Sequence, residues 1–102
     1  MRLISVRRLR DFWSKHARAK VSLENWFSTV KEVKWNSFDE LLKTYSKADQ
    51  VKVSSGKTVI VFNIGGNNFR LICAIHFNGQ RIYLLRLLTH AEYSRSEWKN
   101  HL

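Results

Sequence analysis

Phe69-Arg70-Leu71-Ile72-Cys73-Ala74-Ile75-His76-Phe77-Asn78-Gly79-Gln80-Arg81-Ile82-Tyr83-Leu84-Leu85-Arg86-Leu87-Leu88 is the stretch whose reading decides the fold. Two apolar, β-branched and aromatic runs, Phe69–Phe77 and Gln80–Leu88, flank Asn78-Gly79. Asparagine and glycine both tolerate the positive φ of a type I′ turn, so this pattern is the strongest short hairpin signal a sequence carries. A two-residue loop would set Phe77 opposite Gln80, Leu71 opposite Arg86 and Arg70 opposite Leu87. That register sends Arg70 and Arg86 to opposite faces, and only a bulge or an edge position would bring them to one site. Leu71–Ile75 has almost no polar alternation, which predicts a central strand covered on both faces.

Upstream, Gly65-Gly66-Asn67-Asn68 reads as a turn, Thr58–Asn63 as a β-branched strand and Ser54-Ser55-Gly56 as another turn. The first half reads as helix. Ser5 is placed to cap a helix whose apolar side is Val6, Leu9, Phe12, Trp13 and Ala17, with Arg7, Arg8, Asp11, Lys15 and Arg18 opposite. A second helix is expected from Ser22, burying Leu23, Trp26, Phe27 and Val30, with Glu24 in its first turn and Lys31 and Lys34 toward its end. Ser37-Phe38-Asp39-Glu40 is a capping-box pattern opening a short helix with Leu41, Leu42 and Tyr45. After Leu88, Thr89-His90-Ala91-Glu92-Tyr93 can begin a last short helix. N-terminal helices packed on a small antiparallel β-sheet make the expected class α+β, with residues 1–102 as a single domain.

The charge is the compositional anomaly. Lys and Arg number 18 against 8 Asp and Glu, a net +10, which on a domain this small points to a polyanionic partner. Residues 1–20 carry much of it: Arg2, Arg7, Arg8, Arg10, Lys15, Arg18 and Lys20 face only Asp11. That helix face is a candidate RNA contact through Arg7, Arg8 and Lys15, and otherwise a solvated surface. Val59–Phe62 and Leu71–Phe77 are far short of the roughly 20 residues that cross a bilayer. Met1–Ser5 lacks the apolar stretch of a secretory signal, so the expected compartment is the cytoplasm, with no membrane partner. The lone Cys73 excludes a disulfide framework or thiolate zinc cluster and reads as a small buried apolar residue.

The open end of the hairpin gathers the residues with chemistry to offer: Asn67, Asn68, Arg70, Arg86 and the Thr89-His90 exit. Arg70 interrupts an apolar strand. It either snorkels or pairs with Asp49 or Glu92, or it clamps a phosphate, for which the guanidinium fork is matched. Arg86 has the same two readings. His90 beside arginines at a strand exit can exchange a proton near neutral pH, whereas composition alone makes it a surface histidine. Tyr93, three residues on, shares its side of a helix and is a packing aromatic or a partner to it. His76 reads as a hairpin-end residue, and His16 and His101 as ordinary solvated ones. No histidine pair has metal-ligand spacing with an acid, so no metal is expected. Gly65-Gly66 is too short for a phosphate loop and lacks a following Lys-Ser/Thr.

Val61-Phe62-Asn63-Ile64-Gly65-Gly66-Asn67-Asn68-Phe69-Arg70, then Arg86, then Thr89-His90-Ala91-Glu92-Tyr93, resembles the HigB toxins of bacterial type II toxin–antitoxin systems, within the RelE/ParE superfamily. The order of elements matches, and the resemblance covers nearly the whole chain. It implies a RelE-like fold and a ribosome-dependent mRNA endonuclease that uses no metal and no cofactor. It also implies neutralisation by a HigA-like antitoxin with a helix-turn-helix domain, through which alone DNA would be met. In such toxins the substrate's 2′-OH attacks the adjacent phosphate. Carried onto this chain, the resemblance makes Arg70 the phosphate-stabilising residue, Arg86 a helper, His90 the proton-transfer group and Tyr93 its assistant by hydrogen bond or base stacking, with Asn67 and Asn68 touching RNA. RelE-type toxins often carry lysines on the preceding strand, but Val59-Ile60-Val61-Phe62 has none, so proton transfer falls to His90. Two other readings stay open: a ParE-like topoisomerase inhibitor that needs no nuclease site, and a non-catalytic basic RNA- or ribosome-binding module.

Overall fold

A computed structural model describes all residues 1–102. The hairpin at its centre is the one the sequence announces, extended on both sides into a five-stranded sheet. In chain order the elements are β1 (Arg2–Ile4), α1 (Val6–Lys15), a 3₁₀ turn (Ala17–Ala19), α2 (Lys20–Val30), α3 (Phe38–Thr44), β2 (Asp49–Lys52), β3 (Thr58–Ile64), β4 (Phe69–His76), β5 (Arg81–Thr89), α4 (His90–Ser94) and a second 3₁₀ turn (Glu97–His101). The strand order is β1-β5-β4-β3-β2, with β1 parallel to β5 and every other pair antiparallel. β4 is therefore central, and Leu71, Ile72 and Cys73 have no accessible surface. The fold is α+β. No helix is long and apolar enough to cross a membrane.

Alternation along the strands divides the apolar residues into two clusters. One face carries Ile60, Phe62, Ile64, Leu71, Cys73, Ile82 and Leu84 and packs against Leu9, Leu23, Trp26, Val30 and Leu41 from the helices. The opposite face carries Val59, Val61, Ile72 and Leu88 and is covered by Trp98.

Several local expectations are corrected. The β4–β5 connection has four residues, with His76 opposite Arg81, and the left-handed residue is Gln80 (φ 53°) instead of Asn78 and Gly79. Tertiary contacts decide this. The Gln80 carbonyl accepts from Arg2 N at 2.7 Å, and its side-chain amide donates to the carbonyls of Trp35 (2.6 Å) and Phe77 (2.8 Å). Ser5 precedes α1 at φ 66° without a side-chain cap, because the chain must reverse straight out of β1. α1 stops at Lys15, leaving Ala17 in the 3₁₀ turn, and α2 starts at Lys20, so Ser22 lies inside it. The Ser37 cap forms as expected, its hydroxyl accepting from Glu40 N at 3.3 Å.

The register correction bears on the site. Residue pairs follow the expected count from His76–Arg81 down to Cys73–Leu84, then shift by one, so that Ile72 faces Arg86, Leu71 faces Leu87 and Arg70 faces Leu88. Leu85 is the extra residue of a β-bulge. Arg70 and Arg86 consequently lie on one face of the sheet, not on opposite faces.

Candidate active site at the open end of the hairpin

The β3–β4 connection, Gly65-Gly66-Asn67-Asn68, runs between Ile64 and Phe69, which face each other across the strands. Gly65 and Gly66 adopt φ of 63° and 67°, the left-handed region that glycine enters without penalty. The turn thereby aims its carbonyls at the site. Asn68 O accepts from His90 N at 3.0 Å, and Asn67 O accepts from Arg70 Nη1 at 3.2 Å.

Arg70 is the single charged side chain in the buried set, 9% exposed. Nη1 also donates to Phe69 O at 3.1 Å, and Nη2 donates to Asn67 Oδ1. Of the expected alternatives, snorkelling does not occur because the side chain is buried, and pairing with Asp49 or Glu92 does not because none of these acceptors is a carboxylate. Three of the guanidinium's five N–H donors are occupied in this way, and one on Nη2 and that on Nε have no protein acceptor. The Arg70 guanidinium carbon lies 5.5 Å from the ring centroid of Tyr93, and Tyr93 stacks on Trp98 at 5.3 Å with 20° between the planes.

α4 presents His90 and Tyr93. Thr89 caps it through a complete capping box: its hydroxyl accepts from Glu92 N at 3.2 Å, and Glu92 Oε1 accepts from Thr89 N at 2.9 Å. The Thr89 backbone N–H foremost, with the Thr89 hydroxyl and the positive fields of His16 and Arg95, holds the Glu92 carboxyl below its ordinary value against the opposing effect of burial. His90 is exposed, and Tyr93 is half-buried. Burial, helped by the Asp49 carboxylate and opposed by Arg70, pushes the Tyr93 phenol up, so it stays protonated at neutral pH and can donate a hydrogen bond.

Asn67, Asn68, Arg70, His90 and Tyr93 thus meet at one place, although the Asn67 amide is engaged by Arg70 and acts as its anchor. Arg86 shares the sheet face but donates Nη1 to Leu85 O at 2.8 Å. It lines an adjoining groove of about 430 Å³ with Leu88, Glu92, Arg95, Trp98 and His101. Arg7, Arg8 and Lys15 are exposed on α1, in the helical layer across the sheet from Arg70. No three His, Cys, Asp or Glu side chains converge anywhere in the molecule.

Two contributors carry no signal in the sequence. His16, expected to be solvated, is half-buried and packs 5.4 Å from the Phe69 ring, beside Glu92. Trp98 lies outside every motif read in the sequence. No local pattern links residue 16 to 69, and only the packing of the end of α1 against β4 brings them together.

A buried guanidinium with two N–H donors free of protein acceptors thus lies beside a protonated phenol, with an exposed histidine at the start of the same short helix, on a small basic α+β domain. The chain belongs to the HigB toxin family, the RelE-like toxic component of a toxin–antitoxin system, whose signature matches residues 19–96. It is 28% identical over 93 residues, 91% of this chain and 88% of the relative, to the mRNA interferase toxin HigB of Escherichia coli strain K12. It is 25% identical over 95 residues, 93% of this chain and 90% of the relative, to the mRNA interferase HigB of Escherichia coli O6:H1.

Proposed function

We propose that this toxin is an endoribonuclease that cleaves mRNA on the translating ribosome, in the cytoplasm, by attack of the substrate's own 2′-OH on the adjacent phosphate. The observation that carries the reading is Arg70. Burying a guanidinium without a carboxylate is costly, and the cost has a purpose if its remaining N–H donors meet a phosphate that gains charge in the transition state. The P–O2′ bond forms as the P–O5′ bond breaks, the 2′-OH giving up a proton and the departing 5′-oxygen taking one. Cleavage to a 2′,3′-cyclic phosphate and a 5′-OH thus requires orientation, charge stabilisation and proton movement, and no external nucleophile.

In this reading Arg70 holds the scissile phosphate, with Asn67 fixing its fork. His90 moves the proton, and Tyr93 donates a hydrogen bond or stacks on a base. Asn68 meets the RNA beside them, and Arg86 steers the adjoining phosphate from its groove. Arg7, Arg8 and Lys15, on the far side of the sheet, supply affinity for ribosomal RNA. The partner that silences the site is a HigA-like antitoxin with a helix-turn-helix domain.

Mapping mRNA 5′ ends after induced expression tests the proposal. The parent should generate new ends within translated frames. His90→Gln should associate with ribosomes normally yet cleave at least about 10²-fold more slowly. Cleavage by His90→Gln at the parental rate removes the histidine from the chemistry. A toxic parent that produces no new ends would favour topoisomerase inhibition instead.

A further inference from the structure

α4 has five residues, too few to hold a helix by itself. Its N-terminal end is fixed by the Thr89–Glu92 box, and its C-terminal end is fixed by the last residues of the chain. At Ser96 (φ 63°) the chain reverses, and Glu97–His101 runs back across the sheet as a strap. The Tyr93 carbonyl accepts from both Ser96 N (3.2 Å) and Trp98 Nε1 (3.1 Å). Trp98, 6% exposed, is buried among Val53, Val59, Val61, Ile72 and Leu88. The strap is also tied to the turn between β2 and β3, where Ser54 N donates to Lys99 O at 3.0 Å and Ser54 Oγ donates to Asn100 Oδ1 at 2.7 Å. Trp98, Lys99 and Asn100 lie beyond the segment matched by the family signature.

We infer that Trp98 is a positioning residue, which fixes the backbone and ring of Tyr93 and, through that ring, the direction of the Arg70 guanidinium. Two contacts act at once: the indole N–H on the Tyr93 carbonyl sets where α4 ends, and the stacked indole sets the plane of the phenol. Arg70 has only the Asn67–Phe69 backbone, the Asn67 amide and this ring to hold it. A strap that loosened would leave the charge in place and lose its aim. The inference rests on the proposed cleavage chemistry only for its effect on rate.

Trp98→Leu keeps apolar bulk and removes both contacts, whereas Trp98→Phe keeps the stack. Misplacing a reacting group by about an ångström costs up to about 10²-fold, so kcat of Trp98→Leu should fall at least about 10-fold with KM little changed. Trp98→Phe should recover most of the loss. In a Tyr93→Ala background the effect of Trp98→Leu should vanish, because Trp98 acts through Tyr93. A second readout needs no activity: the Arg70 side-chain NH signals, displaced by the Tyr93 ring, should move toward those of a solvated arginine in Trp98→Leu. Where that variant does not fold, Asn100→Ala, which cuts only the Ser54 hydroxyl's bond to the strap and leaves Ser54 N on Lys99 O, should move the same signals less far. Unmoved Arg70 signals in a folded variant overturn the inference, as does an undiminished effect in the Tyr93→Ala background. Absence of RNA cleavage by the parent would sink the functional reading and leave the Arg70 signals to decide this one.

Discussion

Arg70 and Arg86 stand on the same face of the sheet because Leu85 is one residue more than β4 has to match. Without the bulge, Leu87 and Leu88 would exchange faces, since a one-residue slip inverts every side chain beyond it. Leu87 belongs to the helix-side cluster and Leu88 to the cluster under Trp98. Deleting Leu85 should leave Arg86, Leu87 and Leu88 on the faces they now occupy, since Leu84 still pairs with Cys73 and Arg86 with Ile72, and should cost only the contacts of one half-buried leucine, about 1–2 kcal/mol. A loss of about 3 kcal/mol or more would mean that the bend of the bulge itself, and not the face assignment alone, holds the two core leucines.

On the proposed reading, Arg70 serves cleavage and adds little to stability. Arg70→Met, close in volume and apolar, removes a buried charge that no carboxylate balances. Such exchanges are often neutral or stabilising. The expected outcome is a Tm equal to or above that of the parent, with cleavage lower by about 10²–10³. A large fall in Tm would make the guanidinium a structural group.

The Glu92 carboxyl is held below its ordinary value, chiefly by the Thr89 backbone N–H. A group whose folded value is depressed stabilises the fold above the unfolded value and loses that contribution as pH falls through the folded one. Glu92→Gln should thus lower Tm at pH 7 by an amount that shrinks as the pH drops below 4.5, the ordinary value. The effect is on the order of a few tenths of a kcal/mol, because the carboxylate is exposed and screened. A difference that is constant from pH 7 to pH 3 would assign it to packing.

Arg7, Arg8 and Lys15 face solvent from the helical layer. Replacing all three by Gln should weaken ribosome association and flatten its dependence on salt, since each phosphate contact adds to that slope. Sedimentation of the variant with ribosomes across a salt series reads this directly, and an unchanged slope would leave the face merely solvated.

The parts legible from sequence are those fixed by local chemistry. The β4 and β5 strands, the glycine turn at Gly65-Gly66, the cap at Ser37 and a short helix beginning at Thr89 each follow from a few adjacent residues. β1 and β2 were not legible. β1 has three residues, too few for alternation, and Asp49–Lys52 is a largely exposed, polar edge strand. The bulge at Leu85 leaves no mark in a run where Leu84, Leu85, Leu87 and Leu88 are interchangeable in type. The cluster around Arg70 followed from the hairpin's open end, whereas the hold of Trp98 on Tyr93 depends on a chain reversal at Ser96 that propensity does not announce.

The pairing of Arg2 with Arg81 sets the order in which this protein comes into being. The first strand waits, with its backbone groups unmatched, until β5 has been synthesised, and the strap under Tyr93 is made later still. Pairings this distant in sequence close slowly and late. Arg70 leaves the ribosome well before the ring that aims it, so a growing chain carries no assembled site. On the proposed reading, a chain made only as far as β5 holds Arg70 without the Tyr93 ring, and the cleavage site closes only after α4 and the strap have followed.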